Sequence, residues 1–324
     1  MAKGKVWLIL LLAVAVYLVM AVYADIGKLA AVLASFRWSL FFILLALTTL
    51  AYLIRFVKWS LIIRKAGVEL DLEDNLFVFF SGLSMVVTPA KIGEIWKGWL
   101  VRDLTGTALS KTVPAVIVDR ITDVIGLVML SFLGAFYLQE GVYTLILLLM
   151  LFFVSIRALR SRRLSSAVIS VLDKKADRYA ENARVVHQTF LDTLEPKTLI
   201  VTSLVSAFGW LFEGLALYVV VLGFRSHINL MLSVFIFSFA SLAGAASMLP
   251  GGLGVAEATI SGMLQLFGSP QATSVGIALI VRLGTLWYGA LLGLSVYLLF
   301  RTRIYGKKRL ITPPSQPAIS TKDD

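Results

Sequence analysis

Hydrophobic and polar positions fall in long blocks along this chain rather than at short period. An apolar run covers residues 6–23 after Lys3 and Lys5. It exceeds the roughly 7–15 apolar residues of a signal-peptide core. It therefore reads as a retained first helix with its N-terminus inside, although Val22-Tyr23-Ala24 resembles a cleavage site. Residues 24–37 are weakly charged and read as an outer loop. A second helix is predicted over about residues 38–63. It carries Arg55 and Lys58 and closes on Arg64 and Lys65, a basic cluster that belongs on the cytoplasmic side.

The next apolar run, residues 75–88, falls short of the roughly 20 residues a span needs. It stops at Pro89 and gives way to Lys91, Glu94, Lys97, Arg102 and Asp103. A full helix is predicted over about 113–138 and a return helix over 141–156, meeting Arg157, Arg160, Arg162 and Arg163. Residues 157–197 form the only sizeable polar segment. Within it Val168, Leu172, Tyr179, Ala183, Val186, Phe190 and Leu194 recur at helical steps. With Lys174, Lys175, Arg178 and Arg184 beside them, they predict an amphipathic helix along the anionic cytoplasmic leaflet. A solvated connector is the alternative.

A further helix covers about 199–222, and an outer loop carries Arg225 and His227. The apolar run 230–249 ends at Pro250-Gly251-Gly252-Leu253-Gly254, and a second short run reaches Phe267. The last helix, about 273–300, meets Arg301, Arg303, Lys307, Lys308 and Arg309, which places the C-terminus inside. Residues 311–324 are poor in apolar residues and read as a disordered cytoplasmic tail. The organisation is one membrane domain over residues 1–305.

Two stretches within it look alike. Residues 79–89 (FFSGLSMVVTP) lead to Gly93 and Glu94, and residues 239–250 (FASLAGAASMLP) lead to Gly254 and Glu257. Each is a short apolar helix, then Pro, a Gly turn and a Glu. A long charged helix follows each, with Asp119, Arg120 and Asp123 in the first and Arg282 in the second. Pro89 precedes Arg120 by 31 positions and Pro250 precedes Arg282 by 32. Pro removes a donor and clashes with the preceding turn, and Gly permits backbone angles that other residues avoid. Non-helical backbone survives at membrane depth only inside protein or beside a water-filled cavity. The charge pattern makes the first broken segment start and end inside and the second start and end outside. The prediction is an all-α polytopic membrane helix bundle. Two re-entrant hairpins form an inverted repeat over about residues 38–138 and 198–300.

Composition supports the membrane reading and excludes several chemistries. The 324 residues are 59% hydrophobic and 15% charged, against about 25% charged in soluble domains. The mean hydropathy is +0.88. No cysteine is present, so disulfides, zinc thiolates and thiol nucleophiles are ruled out. His187 and His227 are the only histidines, too few for a histidine metal cluster. The net charge of +11 fits basic cytoplasmic loops facing anionic lipid rather than nucleic acid.

The ordered set of residues 88–94 (TPAKIGE), 119–123 (DRITD) and 250–257 (PGGLGVAE) resembles the flippase-like membrane region of lysylphosphatidylglycerol synthases. The resemblance covers about residues 5–305. It implies movement of an aminoacylated phospholipid between leaflets, while a separate soluble domain makes that lipid. No such domain is read in this sequence, so no synthase activity is expected.

Charge inside a span costs roughly 2.5–3.5 kcal/mol per residue on insertion scales. The substrate-path candidates are therefore Glu94, Asp119, Arg120, Asp123, Glu213, Glu257 and Arg282, with the break residues Pro89, Gly93, Pro250, Gly251, Gly252 and Gly254. Glu257 with Arg282 and Glu94 with Arg120 are the expected pairs, serving either the lipid path or the structure. Arg55 and Lys58 are secondary candidates, expected to snorkel to the inner interface. Glu94 and Glu257 are the carboxylates considered for proton uptake. The acidic run 71–74 (DLED) suggests a membrane glycosyltransferase metal site, but its place just before the short apolar helix favours a helix N-terminus.

Three function classes follow. The first is a translocator of an anionic or aminoacylated phospholipid or a polyprenyl-phosphate lipid, which is not an enzyme. The others are a lipid-modifying membrane enzyme and a non-transporting scaffold. No metal or cofactor is called for. The expected partners are anionic membrane lipids, with a homo-oligomer left open.

Overall fold

A computed structural model describes residues 3–88, 93–132, 146, 150 and 177–311. The described residues form twelve α-helices and no strand. Helices α1 (Lys3–Tyr23) and α2 (Ile26–Ser35) meet at a bend of 96° and precede α3 (Ser39–Lys65). The first broken segment supplies α4 (Leu72–Leu83) and α5 (Trp96–Thr105), followed by α6 (Leu109–Ser131). After α7 (Asp177–Thr193) and α8 (Pro196–Gly223), the second broken segment supplies α9 (Leu230–Ala246) and α10 (Val255–Leu266). Helices α11 (Gln271–Arg282) and α12 (Tyr288–Ile311) are joined by a π-helical turn, Leu283–Trp287.

Three of these stretches are long and apolar enough to cross a membrane: α3, α8 and the continuous run Gln271–Gly306. The bent pair α1–α2 makes a fourth if taken as one span.

Residues 24–37 are not a loop. Asp25 caps α2, its carboxylate accepting from the Gly27 and Lys28 amides at 3.0 and 3.3 Å. Such a cap satisfies donors that the first helical turn leaves open. Leu29 is buried on the inner face of this short helix. The stretch after Pro89, read above as simply polar, contains α5. Helix α6 begins four residues before the predicted start. The return helix 141–156 and the tail beyond Ile311 lie outside the described residues, apart from Ile146, Met150 and Ile311, which are helical.

Helix α7 occupies the end of the polar segment, while Val168 and Leu172 of the predicted amphipathic helix lie outside the described residues. Phe190 and Leu194 are buried in one apolar cluster with Ile63 and Val118. The apolar face over residues 186–194 thus meets the bundle rather than the leaflet.

Lipid tails are as apolar as leucine, so membrane helices associate through close packing of small residues. Helices α3 and α8 form the central pair of the fold, and α6 packs on α8. Gly126 lets α6 and α8 approach, since a Cβ there would lie 2.7 Å from the Ala207 amide nitrogen. One large core gathers α8, α9, α10 and α11 around Trp210, Leu217, Phe235 and Ile277. A second gathers α3 to α7 around Trp59, Phe79 and Val101. A small third cluster joins Ala13 of α1, Val86 and Val87 of the first break, and Leu253 and Leu286 near the second.

Candidate functional site

The second break is fully described. Helix α9 stops at Ala246, and Met248 adopts a left-handed φ of 55°. Pro250–Gly252 then forms a 3₁₀ turn with Gly251 and Gly252 at φ of 60° and 67°. Gly252 also lies so close to α9 that a Cβ would approach Gly244 Cα to 2.9 Å. Gly254, at φ 86°, precedes α10. Glu257 is the third residue of that helix and 0% exposed. One carboxylate oxygen accepts from the Gly254 amide at 2.8 Å. The other accepts from Arg282 Nε at 2.7 Å. Arg282 also donates to the Gly251 carbonyl at 2.5 Å. A single guanidinium thereby holds both sides of the break.

The first break ends α4 at Leu83 and continues in turns to Thr88. The Thr88 hydroxyl accepts from the Gly93 amide at 2.8 Å, which ties the two ends together. Pro89 lies outside the described residues. Glu94 meets Arg120 at 3.1 Å. The sequence separations of the two Glu–Arg pairs are nearly equal, 26 for Glu94–Arg120 and 25 for Glu257–Arg282.

Arg120 belongs to a larger buried network. It contacts Asp119 at 2.7 Å and Asp123 at 3.0 Å. Lys58, 0% exposed, donates two hydrogen bonds, to the Asp119 carbonyl and to Asp123 Oδ1, and forms an ion pair with Asp119 Oδ1. It reaches Asp119 Oδ1 at 3.0 Å, Asp123 Oδ1 at 2.5 Å and the Asp119 carbonyl at 2.8 Å. Lys97 approaches Asp119 at 2.9 Å and Glu94 at 3.5 Å, with its ammonium 4.5 Å from the Trp59 ring. Arg55 bonds Glu213 at 2.9 Å and lies 3.9 Å from Asp123. Ser206 and Trp210 donate to Asp123 Oδ1 at 2.6 and 3.1 Å. Four cations and four carboxylates thus form one neutral set, which meets the requirement that buried charge be paired.

Arg55 and Lys58 therefore do not snorkel. They are 4% and 0% exposed, because α6 and α8 bring carboxylates to them inside the bundle.

Beside this network lies a cavity of about 100 Å³. Tyr52 and Arg55 of α3 form one wall, and Trp210 and Glu213 of α8 another. Val86 reaches it from the first break, and Gly251 and Gly252 from the second. Arg282 at the end of α11 and Thr285 of the π turn close it. The π turn after Arg282 presents the Thr285 carbonyl to the Tyr52 hydroxyl, which donates at 2.8 Å. Such turns widen a helix and leave carbonyls without intrahelical partners. The Arg55 guanidinium stacks over Trp210 at 4.5 Å.

Among the candidates, Arg55, Glu213, Gly251, Gly252 and Arg282 line the cavity. Glu257 and Gly254 stand behind it, locked in the α10 cap. Glu94, Lys58, Asp119, Arg120 and Asp123 form the adjoining network and are not among the cavity-lining residues. Sequence reasoning passed over Lys97, Ser206, Trp210 and Tyr52. Lys97 carried one signal, its position three residues after Glu94 on a helix face.

The acidic run sits at the start of α4. Glu73 and Asp74 lie in its first turn, and Glu73 meets Arg303 at 3.1 Å. No group of three metal-ligating side chains occurs among the described residues.

The model of the lysylphosphatidylglycerol synthase transmembrane region matches residues 8–293. The chain belongs to this family. The match includes both breaks, the buried network and every residue that lines the cavity. It is similar to a UPF0104 membrane protein of Pyrococcus horikoshii, 26% identical over 322 residues, covering 89% of this chain and 95% of that protein. A UPF0104 membrane protein of Methanothermobacter thermautotrophicus is 23% identical over 303 residues, covering 87% of this chain and 90% of the relative. One from Methanocaldococcus jannaschii is 24% identical over 210 residues, covering 61% of this chain and 85% of the relative. Family membership and the apolar helices together make this a multi-pass membrane protein.

Proposed function

We propose that this protein moves a lipid with a phosphate headgroup between the leaflets of the cell membrane. An anionic or aminoacylated phospholipid and a polyprenyl-phosphate lipid share that chemistry. The observation that carries the reading is the cavity between the two helix breaks, with Arg282 and Arg55 in its walls. Its lining includes the non-helical Gly251-Gly252 backbone, whose polar groups suit a headgroup. Broken helices around a central cavity recur in transporters with inverted repeats.

In this reading α4–α5 and α9–α10 are re-entrant hairpins entering from opposite faces, and both termini are cytoplasmic. The headgroup crosses between Val86 and Gly251 while its acyl chains stay in lipid. Access alternates as one half rocks against the other.

A scaffold reading draws on a different observation. Each cation of the network and Arg282 already has a carboxylate partner, so the charges suffice to hold the elements together without a ligand.

Purified full-length protein in liposomes separates the two. Fluorescent phosphatidylglycerol on the outer leaflet is quenched by an impermeant reductant, and the protected fraction is followed over time. The translocator reading expects movement that depends on the protein and falls in Arg282→Lys, which keeps the charge but loses the planar fork. Movement no faster than in protein-free liposomes, across a panel of anionic and aminoacylated lipids, would leave the scaffold.

A further inference from the structure

We infer that Glu213 is a proton-binding site through which lipid passage is coupled to a proton gradient. This inference rests on the translocator reading and adds its energy source. Among the described residues that line the cavity, Glu213 is the only carboxylate. The titratable groups around it come from three of the helices packed against α8. Helix α3 supplies Tyr52 and Arg55, α6 supplies Asp123, and α11 supplies Arg282. Helix α9 contributes Phe237 and Ser241 and carries no titratable residue.

The cavity and its flanking network are neutral as they stand, since Arg55 is matched by Glu213 and Arg282 by Glu257. A phosphate monoanion entering this space adds one uncompensated negative charge at low dielectric, where such charge is costly. Uptake of one proton by the Glu213 carboxylate restores neutrality. It also frees Arg55 to face the phosphate. The proton comes from the aqueous phase on the entry side and leaves on the exit side with the headgroup, and no bond of the lipid breaks.

Geometry selects Glu213 from the five buried carboxylates among the described residues. When it is protonated, the incoming phosphate takes its place beside Arg55, whose Nε has no hydrogen-bond partner and is open to that anion, while Asp123 stays 3.9 Å from the guanidinium. Glu257 differs, since its charge faces both Arg282 and the α10 N-terminus. Asp119 and Asp123 neutralise Lys58, and Glu94 serves Arg120 and Lys97. The two carboxylates singled out by sequence for proton uptake, Glu94 and Glu257, are thus the tightly held ones.

Two measurements test this on the full-length protein. In detergent at pH 7, binding of short-chain phosphatidylglycerol is measured in weakly buffered solution with a pH dye. The wild type takes up about one proton per lipid bound, as linkage between anion and proton requires. Glu213→Asp keeps this stoichiometry and Glu213→Gln loses it. Where Glu213→Gln does not fold, Arg55→Gln/Glu213→Gln, which removes the whole pair, is read instead. No uptake in the wild type, or unchanged uptake in the Gln variants, overturns the inference.

In liposomes, a gradient of one pH unit shifts the final leaflet distribution of labelled phosphatidylglycerol by about tenfold at a ratio of one proton per lipid. A distribution that ignores the gradient while lipid still moves overturns the coupling. Lipid-linked proton uptake with no lipid movement overturns the translocator reading and leaves the proton site standing.

Discussion

Arg282 is the most informative single perturbation in the molecule. Arg282→Gln removes the 2.7 Å contact to Glu257 and the 2.5 Å bond to the Gly251 carbonyl. Glu257 is 0% exposed, so its charge is left with the Gly254 amide and the α10 dipole. Stripping one partner from a buried pair costs roughly 3–5 kcal/mol. The dipole offsets about 1 kcal/mol of that, and the lost carbonyl bond to a charged group adds about 1.5–3 kcal/mol. The expected cost is therefore about 3.5–7 kcal/mol.

Glu257→Gln is milder. The new amide oxygen still accepts from the Gly254 amide, and the Arg282 side chain, 11% exposed, faces the cavity and keeps Gly251. A loss of about 2 kcal/mol follows from one charge-assisted bond. The double variant should cost less than the sum, with a coupling of about 1–3 kcal/mol. Unfolding by SDS titration in mixed micelles, followed by circular dichroism, gives all three numbers. Additivity within about 0.5 kcal/mol would show that the two side chains do not interact. Arg282→Gln at wild-type stability would remove the clamp altogether.

Other perturbations probe the network, the break and the topology. Asp119→Asn withdraws the shared counter-charge of Lys58, Lys97 and Arg120. It should destabilise by about 3–5 kcal/mol in the same titration, and Lys58→Met should recover part of that loss. Gly252→Ala must adopt φ 67° and place a Cβ 2.9 Å from Gly244 Cα, whereas Gly67→Ala adopts φ 72° with nothing within 4 Å. The second should therefore cost only the left-handed penalty of about 1–2 kcal/mol and the first distinctly more. The wild-type chain has no cysteine. Single cysteines at Arg102 and Gln271, both exposed, should label from the inside and the outside respectively with an impermeant maleimide. External labelling at Arg102 would rule out hairpins of opposite orientation.

Much of the fold was legible in the sequence because lipid imposes a simple rule on length and polarity. The spans α3 and α8 appear within a few residues of their predicted limits, since about 20 apolar residues have few alternatives in a bilayer. The break at Pro250-Gly251-Gly252 was legible because its residue types directly encode non-helical backbone. Helix α2 was missed because an Asp cap before ten residues that include Leu29 is a local signal, overshadowed by the low polarity of the neighbouring runs. Helix α7 and the residue that follows it bury Phe190 and Leu194, two of the positions that the helical period marked. The partner for its apolar face was misassigned, because periodicity reports that a face is buried and not against what.

The charged residues mark where sequence reading ends. Composition and position alone determined that this chain is a multi-pass helical membrane protein, that its helices break at two similar places, and that several ionised side chains lie within apolar runs. Those properties follow from the cost of charge and unpaired backbone in lipid, which acts on each residue separately. The pairing of the charges was decided by tertiary structure alone. Arg55 and Lys58 look like interfacial cations until α6 and α8 bring Asp119, Asp123 and Glu213 within bonding distance. Arg282 becomes a cavity wall and Arg120 a network member because the packing of α3 against α8 sets which side of each helix meets empty space. Close-range electrostatics depends on separations of a few ångströms between residues up to 158 positions apart, here Arg55 and Glu213. No one-dimensional pattern carries those distances.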